Sequence, residues 1–247
     1  MDFKGWFRTG DGQRVDPLTV RDLFSRYVLG IRLLRPRHPC VQRYFQRLFA
    51  RYGLPGIIRV DHGPPFAGDG ALELSRLSVW WLRQGIRVEF TGRARPQDNA
   101  AHEQMHRIYQ AEVARRPAPT PPAQQRRTDR WIDHYHWERP HEALGQRVPA
   151  EVYRRSRRRY RAVVRPWRYP SGWRTVRVTA SGYVRWRGRL RVIGRAFGGQ
   201  RVGFKAVGAG VQEVYFANYL IGLLVDRDPG GMRPAHWSQT PVATAPL

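Results

Sequence analysis

Apolar positions in the first half of the chain change period as they go. From Phe3 to Leu34 they fall in short runs rich in Val, Leu and Ile, broken at Gly10-Asp11-Gly12 and again at Ser25-Arg26. Runs of that length between turn residues predict two hairpin connections and a three-stranded meander. The period then lengthens. Val41, Tyr44, Phe45, Leu48, Phe49 and Tyr52 recur at steps of three and four, which places them on one face of a helix. Gly53 is its C-terminal cap, with Pro55 just beyond. Gly56 to Val60 reads as a short buried strand ending at Asp61. A helix is predicted over 71–84, where Leu72, Leu74, Leu77, Val79, Trp80, Trp81 and Leu82 gather, and a strand over 86–90.

The second half carries the same signals. Gln97-Asp98-Asn99 caps a helix running to about Arg115, with Met105, Ile108, Tyr109 and Val113 on its core side. The proline run from Pro117 to Pro122 ends that helix, and another is predicted over 124–136. Residues 154–168 are dense in arginine and read as a linker between a first domain, 1–153, and a second, 169–227. In the second domain short alternating runs, such as Thr175 to Val178, Tyr183 to Trp186 and Glu213 to Phe216, are separated by Gly or Ser, which predicts a small β-barrel. The tail, 228–247, is rich in Pro, Thr and Ala and reads as disordered.

Charge changes the picture. Lys and Arg number 44 against 19 Asp and Glu, a formal net charge of +25. Only Lys4 and Lys205 are lysines, so the positive charge is almost all arginine. A GC-rich coding sequence explains arginine over lysine but not the shortage of acids. A polyanion is the expected partner, and nucleic-acid phosphates are the commonest one. Cys40 is the single cysteine, which excludes an internal disulfide and a multi-thiolate zinc site. No apolar run is long enough to span a membrane, and Met1-Asp2-Phe3-Lys4 does not open a signal peptide. The expectation is a soluble cytoplasmic protein.

Three carboxylates sit at ends of predicted elements: Asp2 at the first strand, Asp61 after the fourth, and Glu103 in the first turns of a helix. Hard oxygen ligands of this kind suit Mg²⁺, which takes few protein ligands and keeps positions open for water and phosphate. The segments around them are distinctive: Met1 to Gly5, Asp22-Leu23-Phe24-Ser25-Arg26-Tyr27, Tyr52-Gly53-Leu54-Pro55, Asp61-His62-Gly63-Pro64-Pro65-Phe66, and Pro96-Gln97-Asp98-Asn99 with His102-Glu103. Glu138 to Leu144 and Val148-Pro149-Ala150 come next in order. This ordered set, across about residues 1–155, resembles the D,D,E integrase core of bacterial insertion-sequence transposases, allied to retroviral integrases.

The resemblance implies an α/β fold, an RNase H-like core followed by a small SH3-like barrel that binds DNA. It implies two Mg²⁺ or Mn²⁺ ions held by Asp2, Asp61 and Glu103, metal-dependent hydrolysis at a transposon end, and transfer of the freed 3′-hydroxyl to target DNA. Double-stranded DNA and a homo-oligomer are the implied partners, in a bacterial, nucleoid-associated setting. Gln97, Asn99, His102 and Arg107 are expected along the DNA path, and Arg154, Arg155, Arg157, Arg158 and Arg159 on its backbone. Such relatives carry helix-turn-helix domains upstream of the core, so the chain is also expected to be a fragment, a frameshift-joined frame or a decayed copy. Two other readings compete. One is a truncated transposase that binds DNA, cuts nothing and inhibits the full enzyme. The other takes His102-Glu103-Gln104-Met105-His106 as the H-E-x-x-H of a zinc protease, although no third ligand stands at the required spacing. Trp6, Trp80, Trp81, Trp131 and Trp137 are expected mostly in the core, and Trp167, Trp173 and Trp186 as packing residues rather than base-stacking platforms.

Overall fold

The structure is a computed structural model and describes residues 1–34, 37–68, 70, 72–91 and 100–235. It divides into two compact units, one of Met1–Pro65 with Ile86–Ala162, the other of Phe66–Gly85 with Val163–Leu247.

In the first unit the predicted meander is present, with an insertion. Strand β1 (Asp2–Phe3) pairs antiparallel with β4 (Pro17–Arg21), and β4 with β5 (Val28–Leu33). Between β1 and β4 the chain forms a small hairpin of β2 (Phe7–Arg8) and β3 (Arg14–Val15). Its tip is pinned by Gly10 N–H and Asp11 N–H donating to the carbonyls of Ala118 and Pro119. Helix α1 (His38–Tyr52) comes next, and its apolar stripe is buried at Val41, Phe45, Leu48 and Phe49. Strand β6 (Ile57–Val60) then pairs in parallel with β7 (Arg87–Phe90). The buried ammonium of Met1 donates to the Arg59 carbonyl at 3.1 Å, which sets β1 beside β6.

Helix α3 (Ala100–Tyr109) continues as a π-helical turn over Gln110–Ala114. A π turn adds a residue per turn, which rotates the helix beyond it about its axis; here Val113 and Ala114 are both buried. Pro121 then opens α4 (Pro121–Trp137), capped by the Thr120 side chain. The core is built from β5, α3 with its π turn, and α4, through Val28, Ile31, Met105, Tyr109, Val113, Trp131 and Tyr135. The short helix α5 (Pro149–Val152) closes this unit's helices.

The second unit contains α2 (Arg76–Arg83), N-capped by Ser75 and packed on the 3₁₀ turn Arg195–Phe197. Its main sheet is antiparallel and built from β8 (Arg174–Arg177), β11 (Arg201–Gly208), β12 (Val211–Phe216), β13 (Tyr219–Val225) and β14 (Arg233–Pro234). The order across it is β14-β13-β12-β11-β8. A separate hairpin pairs β9 (Tyr183–Trp186) with β10 (Arg189–Val192). Arg187 and Gly188 both take positive φ there, the two-residue turn whose twist suits a hairpin. The sequence predicts a barrel; among the described residues no strand pairing closes this sheet on itself. The architecture is mixed α/β.

The tryptophans divide. Trp81, Trp131 and Trp186 are buried, and Trp186 packs against Phe204 while donating to Asp226. Trp6 and Trp137, expected inside, are exposed; Trp6 lies under the guanidinium groups of Arg8 and Arg14.

Candidate functional site

Asp2 stands on β1 beside β4, opposite Thr19 in the ladder. Asp61 comes directly after β6, where its carboxylate accepts the Gly63 N–H at 3.3 Å. That turn is close-fitting: a Cβ on Gly63 would lie 3.1 Å from the Asp61 carboxylate. Beside it His62 stacks on Phe90. Glu103 is exposed in the first turn of α3.

Asp2 senses the other two acids. The Asp2 carboxyl is pushed up to about 6, first by burial, then by the charge of Asp61, with a smaller push from Glu103. The ammonium of Met1 and the Phe3 N–H oppose the rise. Like charges close enough to raise a pKa are what a shared cation would relieve. The acids are nevertheless not gathered at ligation distance: among the described residues no group of three or more His, Cys, Asp or Glu side chains is placed to hold a metal ion.

Thr19 ties this region together, and nothing in its local sequence marks it. Its hydroxyl donates to the Asp2 carbonyl at 2.8 Å and bonds the Nε2 atoms of His102 at 2.6 Å and His106 at 2.8 Å. A hydroxyl has one proton. With that proton on the Asp2 carbonyl, both imidazoles must donate from Nε2–H. Burial pushes both histidines well below their usual range, His106 to about 3. The His pair therefore braces α3 against β4 and β1, with Glu103 carried between its two members. This arrangement gives the zinc-protease reading no support. Both Nε2 atoms are committed to Thr19, and the described residues offer no group of three metal ligands.

The other expected site residues spread more widely. Gln97 and Asn99 lie outside the described residues. His102 is buried rather than facing solvent, and Arg107 is exposed on α3. Arg154, Arg155, Arg157, Arg158 and Arg159 are all exposed, but the backbone carrying them is fixed. Ser156 N–H donates to the Tyr52 carbonyl at 3.1 Å, and Leu54 N–H to the Arg158 carbonyl at 2.7 Å. Arg155 reaches the Ala50 carbonyl at the C-terminal end of α1, where unpaired carbonyls favour cations. The arginine run is thus laid along the end of α1.

Two family models match this chain. Residues 84–149 match the integrase core domain, a stretch that contains Glu103 but not Asp2 or Asp61. Residues 174–228 match the C-terminal domain of IS481 family transposases. Among solved structures, the chain is similar to one from the simian T-cell lymphotropic virus intasome in complex with PP2A regulatory subunit B56 gamma. The two share 13% identity with a TM-score of 0.49, over 92% of this chain and 78% of that one. No helix among the described residues is long and apolar enough to cross a membrane.

Proposed function

We propose that this chain is a polynucleotidyl transferase that nicks and joins DNA in the transposition of an insertion sequence, because it joins a match to the integrase core domain with a match to the IS481 transposase C-terminal domain. The pairing of those two matches, in that order, carries the reading. The first unit supports an RNase H-like core, since antiparallel β5-β4-β1 stands beside parallel β6-β7 and the acids lie on β1, after β6 and on α3. The second unit is proposed as an SH3-like DNA-binding domain, and the arginine run from Arg154 to Arg159 as a backbone contact. A net charge of +25 suits double-stranded DNA as the partner, held by an oligomer of this chain.

Asp2, Asp61 and Glu103 suit divalent metal by the chemistry of their donors and by the repulsion Asp2 meets from the other two, and they are the residues that would hold Mg²⁺ or Mn²⁺. When bound, such ions activate the attacking oxygen and stabilise the leaving one. The chain's own part is to fix the ligands. The Gly63 N–H orients Asp61, the ladder and Thr19 hold Asp2, and the two histidines hold the turn of α3 that bears Glu103.

The test is strand transfer of a pre-cut duplex, carrying the ends of the surrounding element, into plasmid DNA with Mg²⁺ or Mn²⁺. Asp61→Asn and Glu103→Gln should each abolish transfer and leave duplex binding intact. One observation favours a second reading: the acids are not gathered for ligation. A protein that binds the duplex but gives no transfer with either metal would be a non-cutting DNA-binding relative.

A further inference from the structure

The segments Asp22–Tyr27 and Glu138–Leu144 stand out in the sequence, yet the carboxylate site uses neither. They meet around one cavity. Arg21, Arg26, Gln104, Tyr135, His141 and Glu142 line a space of about 120 Å³ in the first unit. That is well above the roughly 10–15 Å³ a single water needs.

The lining is rich in donors. Arg21 is buried and Arg26 half-buried. Burial first, then the charge of Arg26, lowers the Arg21 guanidinium to about 10, against smaller opposing pulls from Tyr135 and Asp22. His141 Nε2 is buried with no hydrogen-bond partner among the described residues. The His141 imidazole is lowered by burial first, then by Arg139, Arg26 and Arg21. Two acids stand near. Asp22 is occupied within its own turn, accepting from the N–H and hydroxyl of Ser25 at 2.8 and 2.7 Å. Glu142 is exposed at the rim.

Arg26 carries a further mark. Its φ is 62°, the left-handed region that Gly or Asn fills at least cost. An arginine there accepts backbone strain to bring its side chain to the cavity, and such strain persists where a side chain has work at a site. Guanidinium groups converging with an imidazole present many N–H donors in fixed planes, which suits a tetrahedral oxyanion. The cavity also opens beside Gln104, one position after Glu103.

We propose that this cavity is a phosphate-binding site that grips one backbone phosphate of the DNA duplex through Arg21, Arg26 and His141. Phosphate as the ligand stands on the cavity alone; DNA as its source rests on the proposed transposase function. The site would hold the duplex at a fixed point along α3, next to the turn bearing Glu103.

The experiment uses the full chain in two arms. In the first, inorganic phosphate is titrated while the His141 ring is followed by NMR, its signal assigned by loss in His141→Gln. A bound anion favours the imidazolium, so the His141 pKa should rise, and should not rise in Arg26→Asn, which keeps the left-handed turn but removes the charge. In the second arm, duplex affinity is measured against salt. Arg26→Asn should lower the slope by about 0.9, the value of one phosphate, and Glu142→Gln should tighten binding. Asp61→Asn should leave both arms unchanged, so loss of strand transfer and loss of this site are read separately. A His141 response to phosphate with an unchanged salt slope in Arg26→Asn would assign the cavity to free phosphate and overturn the DNA contact. No response in either arm, with Arg26→Asn folded by circular dichroism, would overturn the site.

Discussion

Thr19 shows how much a single hydroxyl can hold. Replacing it by valine keeps the shape, but strands two imidazole N–H groups and removes a donor from the Asp2 carbonyl. Each buried polar group left without a partner costs about 1–3 kcal/mol, so Thr19→Val should destabilise the chain by roughly 2–4 kcal/mol in urea melts, allowing for relaxation. Thr19→Ser should restore most of that loss. A valine variant as stable as the parent would mean that the His pair is braced by other contacts. Asp2, Asp61 and Glu103 stand out in the sequence through the ordered set of segments around them, and their metal role belongs to the proposed function. Thr19 does not stand out, since its ring partners lie 83 and 87 positions away and an interior strand threonine looks like any other. His102 and His106 were legible as a pair, but the spacing alone suggested a metal. Only the fold reveals that a third residue already satisfies both.

At the scale of elements, periodicity is a sound guide wherever an element buries one face. The α1 stripe and its Gly53 cap are where the spacing puts them, and β6 ends at Val60, directly before Asp61. Backbone-to-backbone docking leaves no such trace, and the arginine run illustrates it. Its composition suggests a linker, and its carbonyls close over Gly53. That glycine has φ 80° and ψ 175°, a conformation essentially reserved for glycine, and an added Cβ would lie 2.6 Å from the Ser156 carbonyl oxygen and 2.8 Å from that of Arg158. Gly53→Ala should therefore cost about 2 kcal/mol or more and release Arg155 to Arg159 to proteolysis. Gly56→Ala, where a Cβ meets nothing within 4 Å, should be close to neutral. Equal urea midpoints for the two variants would show that the run does not rest on the helix end. The π turn after α3 was equally silent in the sequence, because its added residue is recognised only by which side chains end up buried.

The whole molecule was legible as mixed α/β, but not in how distant segments group. The second unit joins Phe66–Gly85 to Val163–Leu247 across the length of the chain, and among the described residues its alternating strands form a sheet that does not close, with a separate hairpin. Alternation fixes which face of a strand is buried but says nothing about closure, since ring closure depends on pairing between remote edges. Stability of the first unit depends on pH through such remote pairings, and His136 on α4 reports it. Its Nε2 accepts the Val28 N–H at 3.0 Å, and its ring stacks on Tyr27 with centroids 3.7 Å apart. Burial is the main cause that lowers its pKa from 6.5 to about 4, with a smaller push from Arg51. Because the folded pKa lies below the unfolded one, the unfolded chain takes up the proton first as pH falls. The stabilisation is complete above about pH 6.5 and drains away toward pH 4. Glutamine can accept the same N–H without titrating, so the difference in unfolding free energy between the parent and His136→Gln isolates this group from every other acid-sensitive contact. That difference should move against the parent by roughly 1–2 kcal/mol between pH 7 and pH 4, after allowance for screening. Parallel curves across that range would show that the imidazole titrates alike in the folded and unfolded chains, and would remove the Val28 bond as a support of β5 on α4.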